Sequence, residues 1–128
     1  MKTFKPQNYN SLCPYLVVEN ANRLAELLKK IFDAKEMRRF EDQGRIKHME
    51  IQIDDSILMI SDSIPAYPAQ KAMFFVYVPD VHATFRKALE HGCEKMEEPS
   101  QSDDEQDVRG AFMDFCGNYW GIGTQIEP

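Results

Sequence analysis

Short apolar runs alternate with helical stripes along this chain, and the alternation occurs twice. Cys13 to Val18 (CPYLVV) is a valine-bearing apolar run of strand length. A polar ENAN follows, in which Asn20 suits a helix N-cap. Leu24, Leu27, Leu28 and Ile31 then fall at i, i+3, i+4 and i+7, which predicts an amphipathic helix. Lys29 and Lys30 in its last turn suit the negative end of the helix dipole. Three strands are predicted next: Lys35 to Glu41, Ile46 to Ile53 and Ser56 to Ser61, separated by the turns DQGR and DD.

About 60 residues later the same order returns, a period that points to a repeated unit. Met73 to Val78 (MFFVYV) is again a short apolar run, and Asp80 is placed to cap a helix. Val81, Phe85, Ala88 and Leu89 form the second stripe, and Gly92 is placed to end it. Cys93 to Glu97, Arg109 to Asp114 and Tyr119 to Thr124 read as three more strands. The pattern is therefore α+β: tandem βαβββ repeats, with repeat one at about 12–62, a linker at 63–72 and repeat two at about 73–125 of a single domain. Two prolines in the linker stop strand pairing, and Glu97 to Asp107 (EEPSQSDDEQD) reads as an acidic solvated loop.

Four segments carry a family resemblance: Pro14 to Glu36, Gly44 to Asp62, Phe75 to Gly92 and Asp114 to Ile122. Their order and spacing resemble the vicinal oxygen chelate superfamily of glyoxalase I, bleomycin-resistance proteins and extradiol dioxygenases. The local match is to its phosphonate-operon-associated, demethylubiquinone methyltransferase-like branch. DFCGNYWGI resembles that branch's D-P-x-G-x-x-W ending, with Phe115 in place of proline. The resemblance implies two cupped half-sheets with helices on the convex side, a concave cavity, and a homodimer. It also implies that metal-dependent members take ligands from the first and last strand of each half.

By strand alignment those four places fall on Cys13, Met59, Met73 and Gly121. None is His, Asp or Glu, the donors that an open Zn, Ni, Mn or Fe site needs. A slip of one residue would substitute Pro14, Leu58, Phe74 and Ile122, which are no better. The expectation is no metal and no cofactor. No glycine-rich βα turn for a nucleotide-like cofactor is present. In the final strand Trp120 and Ile122 alternate with Gly121 and Gly123, so the glycines are expected to face the cup and to mark close approach by a ligand or another backbone.

RIKHMEIQI alternates cleanly, with Met49, Ile51 and Ile53 on one face and His48, Glu50 and Gln52 on the other. A His and a carboxylate two residues apart on a strand sit about 7 Å apart along it. They would share a ligand, a water or a proton, with His48 as a general base whose pKa Glu50 raises. A wet sheet face of an ordinary antiparallel strand alternates in the same way. His82 and His91 fall at the two ends of the second helix and read as exposed. The same alternation gives further candidate ligand contacts: Tyr15 and Met59 in the first half, and Met73, Phe75, Tyr77, Arg109, Met113, Tyr119 and Gly121 in the second. Arg109 would meet a carboxylate or phosphate, or pair with the acidic loop before it.

Composition narrows the partners. Net charge is −6, which argues against nucleic acid or an anionic membrane. The odd count of three cysteines without CxxC spacing, and the lack of an apolar leader or spanning stretch, point to reduced thiols in a cytoplasmic protein. The functional expectation is a metal-free protein of the glyoxalase/bleomycin-resistance type that holds an apolar or aromatic small molecule. The alternatives are a metal-dependent lyase, isomerase or dioxygenase of the glyoxalase type, and a metal-independent enzyme using His48 and Glu50 as an acid–base pair.

Overall fold

Both apolar stripes become helices capped as the sequence predicts. In the computed structural model, which describes residues 3–101 and 106–126, α1 spans Ala21–Phe32 and Asn20 accepts from the Arg23 N–H at 3.1 Å. Helix α2 spans Val81–Glu90, and Asp80 accepts from the Ala83 N–H at 3.2 Å. Gly92, at φ +94°, follows the last turn, in the left-handed region that ends many helices. No helix among the described residues is long and apolar enough to cross a membrane.

The chain divides into two compact units, residues 1–70 and 71–128. Unit 1 contains β1 (Tyr15–Val18), α1, β2 (Lys35–Asp42), β3 (Arg45–Ile53) and β4 (Ser56–Asp62). Its sheet has the order β1-β4-β3-β2, with β1 parallel to β4 and the other pairs antiparallel. Unit 2 contains β5 (Met73–Tyr77), α2, β6 (Glu94–Ser100), β7 (Asp107–Met113) and β8 (Tyr119–Gln125). It repeats the arrangement as β5-β8-β7-β6, with β5 parallel to β8.

The repetition extends to single hydrogen bonds. The first helical N–H has no partner within its helix. In unit 1 the Asp62 side chain at the end of β4 accepts from the Ala21 N–H at 2.8 Å. In unit 2 the Thr124 hydroxyl on β8 accepts from the Val81 N–H at 2.9 Å and donates to the Val78 carbonyl at 2.7 Å. The last strand of each unit thus ties down the start of its helix.

Each helix covers one sheet face. Leu24, Leu28 and Ile31 of α1 are buried with Leu16, Val18, Met49, Ile51, Leu58 and Ile60. In unit 2, Val81, Phe85 and Ala88 are buried with Phe112, Trp120 and Ile122. Phe74 stacks on Trp120 at 4.6 Å between centroids, and Phe112 lies at 6.4 Å from it. The β2–β3 turn places Gln43 and Gly44 at φ +51° and +78°, the pair of positive values that a tight two-residue hairpin requires.

Asp114 explains the DFCGNYW stretch. Its carboxylate accepts from the backbone N–H groups of Cys116 and Asn118 at 2.8 and 3.0 Å. It also accepts from Asn118 Nδ2 at 3.1 Å and from the Trp120 indole N–H at 2.8 Å. Gly117 takes φ +86° in this turn. The Asn118 carbonyl oxygen Oδ1 then accepts from the Ala72 N–H, which holds the entry to β5 against the exit of the turn. The motif is a structural clasp around Trp120.

Several strand ends shift by one or more residues from the sequence expectation, and two of the shifts bear on the site. Strand β1 begins at Tyr15, so Cys13 lies outside it: Pro14 has no N–H to give the ladder, although its carbonyl still accepts from Met59 N–H at 2.9 Å. Strand β6 runs on to Ser100, so the acidic segment is strand for its first part. Pro99 is tolerated there because β6 is an edge strand. Residues 102–105 of that segment lie outside the described residues.

Replacing Asp114 with Ala leaves the Trp120 N–H and two turn N–H groups without their acceptor. Urea denaturation is expected to show a loss of about 2–4 kcal/mol, the range for breaking a buried hydrogen-bond network.

Candidate functional site

The face of each sheet turned away from its helix carries the candidate chemistry. In unit 1 the register sets Arg38 opposite Glu50, Phe40 opposite His48, Glu50 opposite Met59, and Tyr15 opposite Met59 across the sheet. Tyr15, His48, Glu50, Gln52 and Met59 therefore share one face, as the alternation predicts. Gln52 turns away from the others and donates through Nε2 to the Asp54 carbonyl at 2.9 Å. Lys47, a charged residue in the odd-numbered series of Met49 and Ile51, falls at a register shift between the Phe40–His48 and Glu41–Ile46 pairs, where it is exposed.

Glu50 is the centre of this face. It is 3% exposed, so its carboxylate requires donors. His48 Nε2 lies 2.8 Å from Oε2, and since the carboxylate can only accept, Nε2 carries the hydrogen. In the neutral ring Nδ1 then accepts from the Tyr15 hydroxyl at 3.2 Å. The Tyr9 hydroxyl donates to Oε1, and Arg38 Nε stands 3.7 Å from the same oxygen. The Arg38 guanidinium also lies over the Tyr9 ring, 5.8 Å from its centroid. Burial alone pushes the Glu50 carboxyl up. The Tyr9 and His48 hydrogen bonds and the Arg38 charge outweigh it and hold the carboxyl below its ordinary value. The same bond to Glu50 pushes the Tyr9 phenol up.

In unit 2, Met73, Phe75 and Tyr77 of β5 share a face with Tyr119, Gly121 and Gly123 of β8 and with Arg109, Ala111 and Met113 of β7. The bare positions on β8 have a cause within the unit. A Cβ on Gly121 would lie 3.0 Å from Phe75 Cδ2, and one on Gly123 would lie 2.7 Å from Phe75 Cζ. The Phe75 ring lies across both glycines, so the expected approach of a ligand or another backbone is corrected: the neighbour is this side chain. Phe75 remains 45% exposed. Tyr77 meets its edge at 5.1 Å, and the Arg109 guanidinium lies 5.2 Å from its centroid. Arg109 Nη2 donates to Asp107 Oδ2 at 3.2 Å, and the Tyr77 hydroxyl donates to the same oxygen at 2.9 Å. That bond pushes the Tyr77 phenol up. Of the two partners expected for Arg109, the acid is therefore supplied by Asp107, the last residue of the acidic segment. A cavity of about 330 Å³ opens here, lined by Phe75, Glu97, Ser100, Arg109, Tyr119 and Gly121 among others.

The register pairs Met59 and Gly121 with residues other than Cys13 and Met73. Opposite Met59 on β1 stands Tyr15, not Cys13, and opposite Gly121 on β5 stands Phe75, not Met73. Cys13 precedes β1, and Met73 lies two residues before Phe75 on β5. A phenol, a thioether, a phenyl ring and a bare backbone position do not fit an open-site divalent metal. Among the described residues no three His, Cys, Asp or Glu side chains converge on a metal-sized site. Cys93 is buried, which pushes its thiol up to about 11, away from the thiolate that a metal binds. His82 and His91 are exposed at the ends of α2.

Tyr9 and Arg38 belong to this face but carried no readable signal. Tyr9 precedes every strand and reaches Glu50 across 41 residues of chain. Arg38 sits just after the β2 register shift, which destroys the period-two pattern in KEMRRFED.

A group whose folded pKa is depressed stabilises the fold above its unfolded pKa and loses that contribution as pH falls. Glu50 is therefore expected to make the melting temperature drop as pH decreases below about 4.5, the ordinary Glu value. Glu50→Gln should flatten that acid limb and lower the melting temperature at pH 7, as read by circular dichroism across pH 3–7.

No family model matches the chain. An uncharacterised protein of Mycobacterium bovis is 27% identical over 131 residues, spanning 91% of this chain and 84% of the relative. TioX from Micromonospora sp. ML1 superposes with a TM-score of 0.76 at 17% identity, over 91% of this chain and 99% of TioX. TnmS3, an antibiotic binding protein from Streptomyces sp. CB03234, superposes with a TM-score of 0.66 at 15% identity, over 91% and 97% of the two chains. A mutant of glyoxalase I from Zea mays gives 0.72 at 14% identity, over 91% of this chain and 44% of the maize chain. Identities this low speak to the fold alone. The chain carries the fold seen in glyoxalase I and in a glyoxalase/bleomycin resistance protein/dioxygenase from Nocardioides.

Proposed function

We propose that the protein binds an apolar or aromatic small molecule without a metal, on the sheet face of unit 2. The observation that carries this reading is the pocket beside Phe75. It holds a half-exposed aromatic ring, a second ring in Tyr119, and one cation in Arg109. Pockets that recognise small molecules combine apolar walls with a few placed polar groups. Arg109 makes a single bond to Asp107 through one of its nitrogens and keeps other N–H donors for an anionic substituent. TnmS3, an antibiotic binding protein, shares this fold, which supports sequestration as the use of such a pocket.

The metal-dependent reading finds no donor set at Tyr15, Met59, Phe75 or Gly121. The acid–base reading meets a different obstacle. Both ring nitrogens of His48 and both carboxylate oxygens of Glu50 are hydrogen-bonded within the unit, so proton transfer to or from a substrate requires a protein partner to give way first.

Anilinonaphthalene sulfonate, a planar aromatic with one anionic group, tests this. Saturable fluorescence enhancement is expected with excess EDTA present. Phe75→Ala should weaken it by about tenfold or more, consistent with loss of a buried aromatic anchor. Binding that requires added metal, or that is indifferent to Phe75→Ala, contradicts the proposal.

A further inference from the structure

Unit 1 has an ionised carboxylate where an apolar residue would be cheaper. Glu50 stands on the sheet face opposite the helix, buried, with Met59 and Ile57 of β4 on the same face. Taking a carboxylate out of water costs several kcal/mol after relaxation, and the cost is recovered only through well-placed donors. One of those donors is anomalous. His48 and Arg38 come from the sheet itself, whereas the Tyr9 phenol comes from residues 3–14, which precede β1 and belong to no helix or strand.

That segment is lightly held. Phe4 and Leu12 are 87% and 86% exposed, so neither anchors it by burial. Asn10 Nδ2 reaches the Asp55 carbonyl only at 3.5 Å, and the Tyr9 backbone N–H bonds locally to the Pro6 carbonyl. The side chain of Tyr9 is the part that enters the sheet face. Its hydroxyl donates to Glu50 and its ring lies beneath the Arg38 guanidinium. These two contacts recognise a phenol as such: an acceptor for the hydroxyl and a cation for the ring face. Nothing in them requires the phenol to belong to this chain.

We propose that Glu50, Arg38 and His48 form a binding site for a hydroxylated aromatic ligand, and that Tyr9 occupies it in cis until such a ligand displaces it. The ligand's hydroxyl donates to Glu50 Oε1 and its ring takes the place under Arg38. An alkyl aromatic lacks the donor and leaves that oxygen without a full hydrogen bond. An aromatic ammonium brings its charge against Arg38. The site stands on unit 1 alone and does not depend on the pocket beside Phe75, so either can fail without the other.

The test uses the full-length chain with Tyr9→Ala and the probe 4-methylphenol. Tyr9→Ala is expected to lower the melting temperature, and millimolar 4-methylphenol to restore part of it. By calorimetry or ligand-observed NMR, 4-methylphenol should bind the variant at least about tenfold more tightly than the wild type, where the tethered Tyr9 competes at millimolar effective concentration. Toluene should not bind comparably, and benzylamine should bind more weakly. Equal affinity for variant and wild type, equal binding of toluene, or preference for benzylamine overturns the proposal. Should Tyr9→Ala fail to fold, the wild type decides. At saturating 4-methylphenol the Tyr9 ring resonances are expected to move to solvent-exposed positions, and unchanged resonances overturn the proposal.

Discussion

A β-strand sends successive side chains to opposite faces, and in each unit of this protein only one sheet face meets a helix. The rest of the architecture follows from that constraint. The face under the helix must be apolar, which selects Met49, Ile51, Leu58 and Ile60 in unit 1 and Phe112, Trp120 and Ile122 in unit 2. The other face is released from the core and is available for chemistry. The helices stay in register with their sheets because the last strand of each unit bonds the first helical N–H, through Asp62 in one unit and Thr124 in the other. Chelation is the use that this fold's metal-dependent members make of the free face, by the resemblance drawn from the sequence. Here the paired first and last strands carry Tyr15 and Met59 on the free face of unit 1, and Phe75 and Gly121 on that of unit 2.

The two free faces have taken different characters. In unit 1 a buried carboxylate gathers donors from β2, β3 and the segment before β1. In unit 2 an aromatic ring lies over two glycines and carries an arginine above it. The first is polar and closed by its own chain, and the second sets aromatic rings beside Glu97, Ser100 and Arg109 and is half open. In unit 1 His48 and Glu50 supply one imidazole and one carboxylate, short of the three protein ligands of an open zinc site, and in unit 2 the Phe75 ring supplies none.

Periodicity makes much of this legible in the sequence. The helix stripes, both N-caps and the alternation in RIKHMEIQI are local consequences of local residues, and the sheet face shared by His48, Glu50 and Met59 follows from a count by twos. What could not be read was set by distance or by an irregularity. Tyr9 lies 41 residues from Glu50, and no pattern ties a loop residue to a strand so far away. Arg38 was hidden by a register shift in β2. The glycines of β8 were correctly read as marking a close approach, but nothing local identifies the ring that fills the space. The acidic composition of Glu97 to Asp107 reads as a loop, whereas an edge strand accommodates its first part, Pro99 included.

The central claim is that this glyoxalase-type fold works here without a metal. Its most direct test is the metal content of the protein purified without chelator, measured by plasma emission spectrometry. The account predicts Zn, Ni, Mn and Fe each far below one equivalent per chain. A stoichiometric content of any of them, retained through gel filtration, would contradict it.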